Sequence, residues 1–285
     1  MGHHFVPQHL LRGFQSPERA NWIWRFDKQT AAWKHLPISQ VAQVPDFYES
    51  DIEVELNEKV EKPANAVIDK LRRGEAITDD DHMDMTYYLA TVIRRVPGHR
   101  KKAESVIPIA ISDAMKDVRE RLRRAAAEAR MSIAEMTAKL EQVDATEQKF
   151  LAEPPEQIRK IIETPWPFDS MLRLIRSMFW RVVQVTGEAR FLICDNPAVF
   201  FDFGLGHQEC ELILPLSSTT LLHCCWQWTR DLYVKDERER LVKEFNRRIA
   251  ARAERCVFCH KQVIWLAELA RNAEGNLSRI SWDLC

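Results

Sequence analysis

The chain has 285 residues, 46% apolar and 29% charged, with a formal net charge of −1. That composition supplies material for a sizeable core, and length alone fits one large domain or two small ones. The near-neutral balance gives no support for broad attraction to nucleic acid or to a membrane, and no apolar run approaches the roughly 18 to 20 residues that cross a bilayer.

The N-terminus, MGHHFVPQHLLRGF, lacks the charged start, apolar stretch and small-residue cleavage site of a secretory signal. The seven cysteines are odd in number and show no framework spacing. A cytoplasmic protein with reduced thiols is therefore expected.

In chain order, Pro7 opens a short helix, QHLLRGF, that ends near Gly13. WIWRFDKQTAAWKHL reads as a β-hairpin: Trp22, Trp24 and Phe26 alternate, DKQT makes a polar turn, and Trp33 follows. Residues 51–73 read as a helix with an apolar stripe of Leu56, Val60, Val67 and Leu71, kinked or restarted at Pro63 and stopped by Gly74. A second helix starts at a Thr78–Asp81 cap, buries Met85, Leu89, Val92, Ile93 and Val96, and ends at Pro97-Gly98.

Residues 99–163 are rich in strong helix formers with dense charge, as in RERLRRAAAEAR, and read as long solvated helices. AEPPEQ and TPWPF mark breaks. The segments 179–185, 189–195, 211–216 and 219–226 read as strands of one sheet, followed by a helix at about 235–255 with Leu241, Val242, Phe245 and Ile249 on one side and exposed arginines on the other. The expected fold is helix-rich α+β, with an N-terminal β-hairpin and a C-terminal, mostly antiparallel sheet flanked by helices. A single domain with a charged helical insert at about 100–165 is expected, its N-terminal piece packing back on the C-terminal sheet.

Several polar residues are candidates for chemistry. His3, His4 and His9 flank Pro7; imidazole serves as a metal ligand or base near neutral pH, or simply bonds a helix start or buried carbonyl. On the 51–73 helix Glu61 stands near the core border, where a carboxylate is partly buried and needs a cation partner. Glu53, Glu55 and Glu58 are weaker candidates, and Glu58 with Lys62 is an ordinary i,i+4 pair. Arg95 lies nearer the apolar stripe than Arg94 and is placed either to favour the helix dipole or to face a carboxylate or phosphate.

FLICDNPAVFF delivers Asp195 and Asn196 at the end of an apolar strand, with Pro197 holding Asn196 extended. Asp-Asn-Pro is equally good turn chemistry. Cys256-Val-Phe-Cys259-His260 has the spacing of a haem-attachment signature, yet that chemistry happens outside the cytoplasm. A zinc site would need a second ligand pair, and His223, Cys224 and Cys225 match no zinc spacing. There is no phosphate-cradling glycine loop, no G-x-S-x-G and no H-E-x-x-H.

HHFVPQHLLRGF, PDFYESDIEVELNEKVEKPANAVIDKL, IRRVPGHR, FLICDNPAVFF, LILPLSS and FNRRIAARAER follow in that order. This set resembles the bacterial family called domain of unknown function 4238, over most of the chain apart from the charged insert. The resemblance transfers no reaction. It implies a shared pattern at His4, Pro7, Glu61, Arg95, Asp195, Asn196, Pro197 and Asn246, with Cys194 departing from the small hydroxyl residue more often found there.

Two readings follow. In one, His4, Glu61 and Asp195 converge on a pocket and bind Mg²⁺ or Mn²⁺, or supply a base, for hydrolysis of a phosphodiester or similar bond. Asn196 would orient a ligand or water, and Arg95 would neutralise a substrate anion. In the other, the same residues form a buried structural network in a non-enzymatic binding or regulatory module, whose exposed arginines at 247–255 and charged insert meet a protein or nucleic-acid partner.

Overall fold

The computed structural model describes residues 2–45, 50–200, 204–227, 231–236 and 239–272. The chain divides into two compact units, residues 1–96 with 165–285, and residues 97–164.

In the first unit, β1 (Gly2–His4) pairs antiparallel with β4 (Gln43–Pro45). Between them lie α1 (Gln8–Arg12), β2 (Trp22–Asp27) and β3 (Ala32–Pro37). Gly13 follows α1 because no side chain fits there: a Cβ would stand 2.4 Å from the Leu216 carbonyl and 2.6 Å from Arg72 Nη2. β2 and β3 form the expected hairpin, Trp22 opposite Pro37 and Asp27 opposite Ala32. Asp27 Oδ1 accepts the Gln29 and Thr30 amides, which fixes the polar turn.

The 51–73 helix is broken where Pro63 demanded it. α2 (Ser50–Leu56) runs into a π-helical turn, Asn57–Glu61, and then α3 (Lys62–Arg73). Pro63 has no N–H to give the preceding turn, so that turn widens. Gly74, at φ 75°, stops α3 in the left-handed conformation. α4 (Asp79–Arg94) begins with the expected cap, Thr78 and Asp81 each accepting the other's backbone N–H. Met85, Leu89, Val92, Ile93 and Val96 are buried.

After the second unit come α8 (Asp169–Ser177), β5 (Phe179–Val185), β6 (Ile193–Cys194), β7 (Val199–Phe200), β8 (Glu211–Pro215), β9 (Thr220–Cys225) and β10 (Tyr233–Asp236). α9 (Glu239–Arg252), β11 (Cys256–Cys259) and α10 (Leu266–Asn272) complete the unit. One sheet runs β10-β5-β9-β8-β7, antiparallel except for the parallel β10–β5 edge. The other runs β3-β2-β11-β6 and is antiparallel throughout. The fold is α+β as expected, and the N-terminal hairpin packs against C-terminal sequence by direct strand pairing with β11.

Two expectations need correction. Residues 189–195 do not join β5, β8 and β9; only Ile193 and Cys194 form a strand, and it pairs with β11. The reason is a set of long-range hydrogen bonds: the Asn246 side chain holds the backbone of residues 190 and 192, and Phe191 N–H donates to the Ser218 carbonyl. The arginines at 247–255 are also not a free row. Arg248 is buried against Glu211 and Glu244, Arg247 pairs with Glu244, and Arg255 pairs with Asp27.

The second unit is helical. α5 (Pro97–Glu128) and α6 (Ile133–Ala152) form a hairpin, and α7 (Glu156–Glu163) follows Pro154-Pro155. Ser132 and Glu135 cap α6 reciprocally, and Arg119 bridges Asp144 and Glu147 across the hairpin. Most of its described side chains face solvent, as the charge density implied.

Candidate functional site

Arg95, at the C-cap of α4, is 1% exposed. Its Nη1 donates to Glu61 Oε1 and its Nη2 to the His4 carbonyl, with Glu53 Oε2 at 3.9 Å. The π turn accounts for the two carboxylates. Glu53 and Glu61 are eight residues apart, which on a plain helix leaves them about 80° apart at ~100° per residue. One extra residue in the turn makes them act as seven apart, within about 20° of alignment. Both therefore address the same guanidinium.

His4 Nδ1 lies 3.1 Å from the Val41 carbonyl. A carbonyl only accepts, so Nδ1 carries the proton and the neutral ring presents Nε2 as a lone pair. Burial pushes the His4 pKa down; the bond to Val41 opposes this and Arg95 adds to it. Burial pushes the Glu53 carboxyl up against the pull of Arg95, and Glu61 adds to the rise. Beneath them Tyr88 is fully buried, its hydroxyl has no hydrogen-bond partner among the described residues, and burial pushes its pKa far up.

Asp195 belongs to a different cluster. Its Oδ1 accepts the Glu254 amide at 2.9 Å, and its Oδ2 accepts the Arg255 and Cys256 amides at 2.8 and 2.7 Å. Burial pushes its pKa up, outweighing those three amides. Asp195 thus clamps the turn between α9 and β11. Cys194 Sγ donates to the Asn196 carbonyl at 3.0 Å, so a thiol fills the donor role open to a hydroxyl at that position.

The structure brings His4, Glu61 and Arg95 together and leaves Asp195 and Asn196 with other partners. Among the described residues no three His, Cys, Asp or Glu side chains are grouped as a metal ion needs, so the set His4, Glu61 and Asp195 is not one donor cluster. The six described cysteines are free thiols. Cys259 is buried and donates to the Lys261 carbonyl at 2.9 Å, and burial pushes Cys256 up to about 11. Cys259 packs as a small core side chain of β11, and Cys256 is partly buried at its start.

A cleft of about 700 Å³ opens beside α9 and the chain that leaves β11. Its floor includes Leu192, Val242 and Cys259, and its walls carry Arg190, Lys243, His260, Lys261 and Trp265. Asn246 lines it too, accepting from Leu192 N–H at 2.9 Å through Oδ1 and donating to the Arg190 carbonyl at 2.8 Å through Nδ2. His260 is half-buried, and burial with the charges of Arg190 and Lys261 lowers its pKa to about 4. Sequence reasoning missed this cleft, apart from Asn246. The available signal was the run His260-Lys261-Gln262-Val263-Ile264-Trp265, polar and apolar without strand or helix period.

A family model described as "Protein of unknown function (DUF4238)" matches residues 2–262. The chain belongs to DUF4238. No curated protein and no solved structure matches it. In this DUF4238 chain no helix among the described residues is long and apolar enough to cross a membrane. Of the polar residues picked out by the family resemblance, His4, Glu61 and Arg95 hold the N-terminus to the helices. Asp195 and Asn246 hold the segments that border the cleft.

Proposed function

We propose that this DUF4238 chain is a ligand-binding module, with its polar residues forming the frame and the cleft beside α9 receiving the ligand. One observation carries the reading. Asn246 grips the backbone of Arg190 and Leu192 on one wall, while Asp195 grips residues 254–256, which feed β11 and the opposite wall. Two buried polar side chains therefore set the positions of both walls. Arg95 supports the same reading: a guanidinium with 1% exposure and donors on Glu61 and His4 is occupied with the fold.

The test is hydrogen–deuterium exchange of the full chain against a panel of sugars, amino acids, dicarboxylates and nucleotides. A ligand should slow exchange at 188–192 and 259–265. Protection confined to residues 3–6 and 51–61 would move the site away from the cleft and overturn the reading.

A second reading keeps hydrolysis at the N-terminal cluster. The lone pair on His4 Nε2, the elevated Glu53 carboxyl and the unpartnered Tyr88 hydroxyl together favour it. There His4 acts as base and Glu53 as acid, with or without Mg²⁺ or Mn²⁺ on Glu61. Turnover of bis(p-nitrophenyl) phosphate by the purified chain, lost in His4→Ala, would establish it in place of the binding module.

A further inference from the structure

We propose that the cleft beside α9 takes a ring-bearing phosphate of mononucleotide size, with Arg190, Lys243 and Lys261 holding the phosphate and Trp265 meeting the ring. This rests on the reading of the chain as a binding module and adds the chemical class of the ligand.

The size suits such a molecule. About 700 Å³ is within the range of small-molecule sites, well beyond what a bare anion fills. The charge is arranged for an anion. Three permanent cations line the cleft, against Glu188 and Glu239, and Glu239 is paired with Lys243 at 3.1 Å on the exposed side of α9. Arg190 is held in place by donating from Nη1 to the carbonyls of Gly187 and Ala189. Its Nε and Nη2 have no hydrogen-bond partner among the described residues, and two such N–H groups are the fork that grips a phosphate. His260 supports the sign of the field: the same Arg190 and Lys261 that would bind the anion help keep this imidazole neutral.

The remaining features match the rest of a nucleotide. Trp265 lines the cleft and is 42% exposed, a large aromatic surface left to water in a concave site. A planar base covers such a face regardless of its identity. The apolar floor of Leu192 and Val242 suits the buried edge of the ring. The carboxylate of Glu188, a poor neighbour for a bare phosphate, accepts a hydrogen bond from a sugar hydroxyl or an exocyclic amine.

Isothermal titration of the full chain with adenosine monophosphate, ribose 5-phosphate, adenosine, inorganic phosphate and succinate tests this. Adenosine monophosphate should bind on the order of tenfold more tightly than ribose 5-phosphate, the contribution of one stacked ring. Trp265→Ala should reduce the nucleotide to the affinity of ribose 5-phosphate and leave ribose 5-phosphate unchanged. Lys261→Gln should weaken both about tenfold and leave adenosine unchanged. Lys261 and Trp265 are exposed, so matched melting temperatures show that the variants are folded. Equal affinity for inorganic phosphate and nucleotide, or insensitivity to both substitutions, overturns the proposal. Succinate or a sugar binding at the cleft while nucleotides do not refutes the ligand class alone, because the binding module would stand.

Discussion

Replacing Arg95 with methionine removes one guanidinium and leaves three acceptors behind. Glu61, 17% exposed in its side chain, loses the cation it faces; the His4 carbonyl loses a donor; Glu53, 34% exposed, loses the charge 3.9 Å away. Two carboxylates then share a partly buried site with nothing between them. Breaking a buried pair by deleting one partner costs about 3–5 kcal/mol. That is a large fraction of the roughly 5–15 kcal/mol by which domains are stable. Glu61→Gln should cost less, about 1–2 kcal/mol, because the amide oxygen still accepts from Arg95 and Glu53 remains near. Combining Arg95→Met with Glu61→Leu should cost clearly less than the sum of the single changes, since neither substitution leaves a buried charge for the other to strand.

The assay is guanidinium chloride unfolding followed by tryptophan fluorescence. All nine tryptophans lie outside residues 97–164, so the signal reports the first unit alone. A pH series adds an independent check. In Arg95→Met, loss of the counter-charge leaves the carboxyl of Glu53, already pushed up by burial, higher still. A folded-state pKa above the unfolded value favours the protonated fold, so the penalty grows as pH rises through the carboxyl range. It should shrink below about pH 4. A loss of under 1 kcal/mol, or additive single and double variants, would refute the claim that these residues act as one buried network.

Asp195→Asn puts an NH₂ among three backbone donors and should cost about 2–4 kcal/mol, read as a lowered denaturation midpoint. Gly13→Ala drives a Cβ into the Leu216 carbonyl and should lower the melting temperature by several degrees in differential scanning calorimetry. His260, lowered to about 4 against 6.5 unfolded, makes the unfolded chain the better proton acceptor, so stability is whole above about pH 6.5 and falls toward pH 4. The half-exposed ring limits this to about 1–2 kcal/mol, and His260→Gln should flatten that part of a chemical-denaturation pH profile.

What was legible in the sequence was local chemistry. The Thr78–Asp81 cap, the Gly74 stop, the turn at DKQT and the break at Pro63 each depend on residues within a turn of one another, and each is present. Strand partners depend on distant residues. β6 looked like the end of a longer strand because 189–192 are apolar enough for one, yet a side chain 54 residues away takes the Leu192 amide. The spacing of CVFC draws attention to its cysteines, whereas its place in the fold is set by antiparallel pairing with β2 on one side and β6 on the other, which buries Val257, Phe258 and Cys259. The convergence of Glu61 and Arg95 was legible as a border carboxylate and a core-side arginine, whereas the alignment of Glu53 needed the extra residue of the π turn.

Asp195 shows why residue type underdetermines role. A carboxylate at a strand end, followed by Asn-Pro, suits catalysis and turn-making equally. What separates them is where the oxygens go, and here both go to amides 59 to 61 residues downstream. Those amides lead into β11, and β11 leads into the His260–Trp265 wall of the cleft. Asn246 does the same for the Arg190 wall. Two residues that could be mistaken for chemistry therefore set the distance between the groups proposed to meet a ligand. Shortening either side chain should loosen the wall it holds before it unfolds the chain. Asn246→Ala would then weaken ligand binding by more than the loss of its own contact with the cleft, and a binding defect no larger than that of a surface substitution such as Gln262→Ala would count against this link between frame and site.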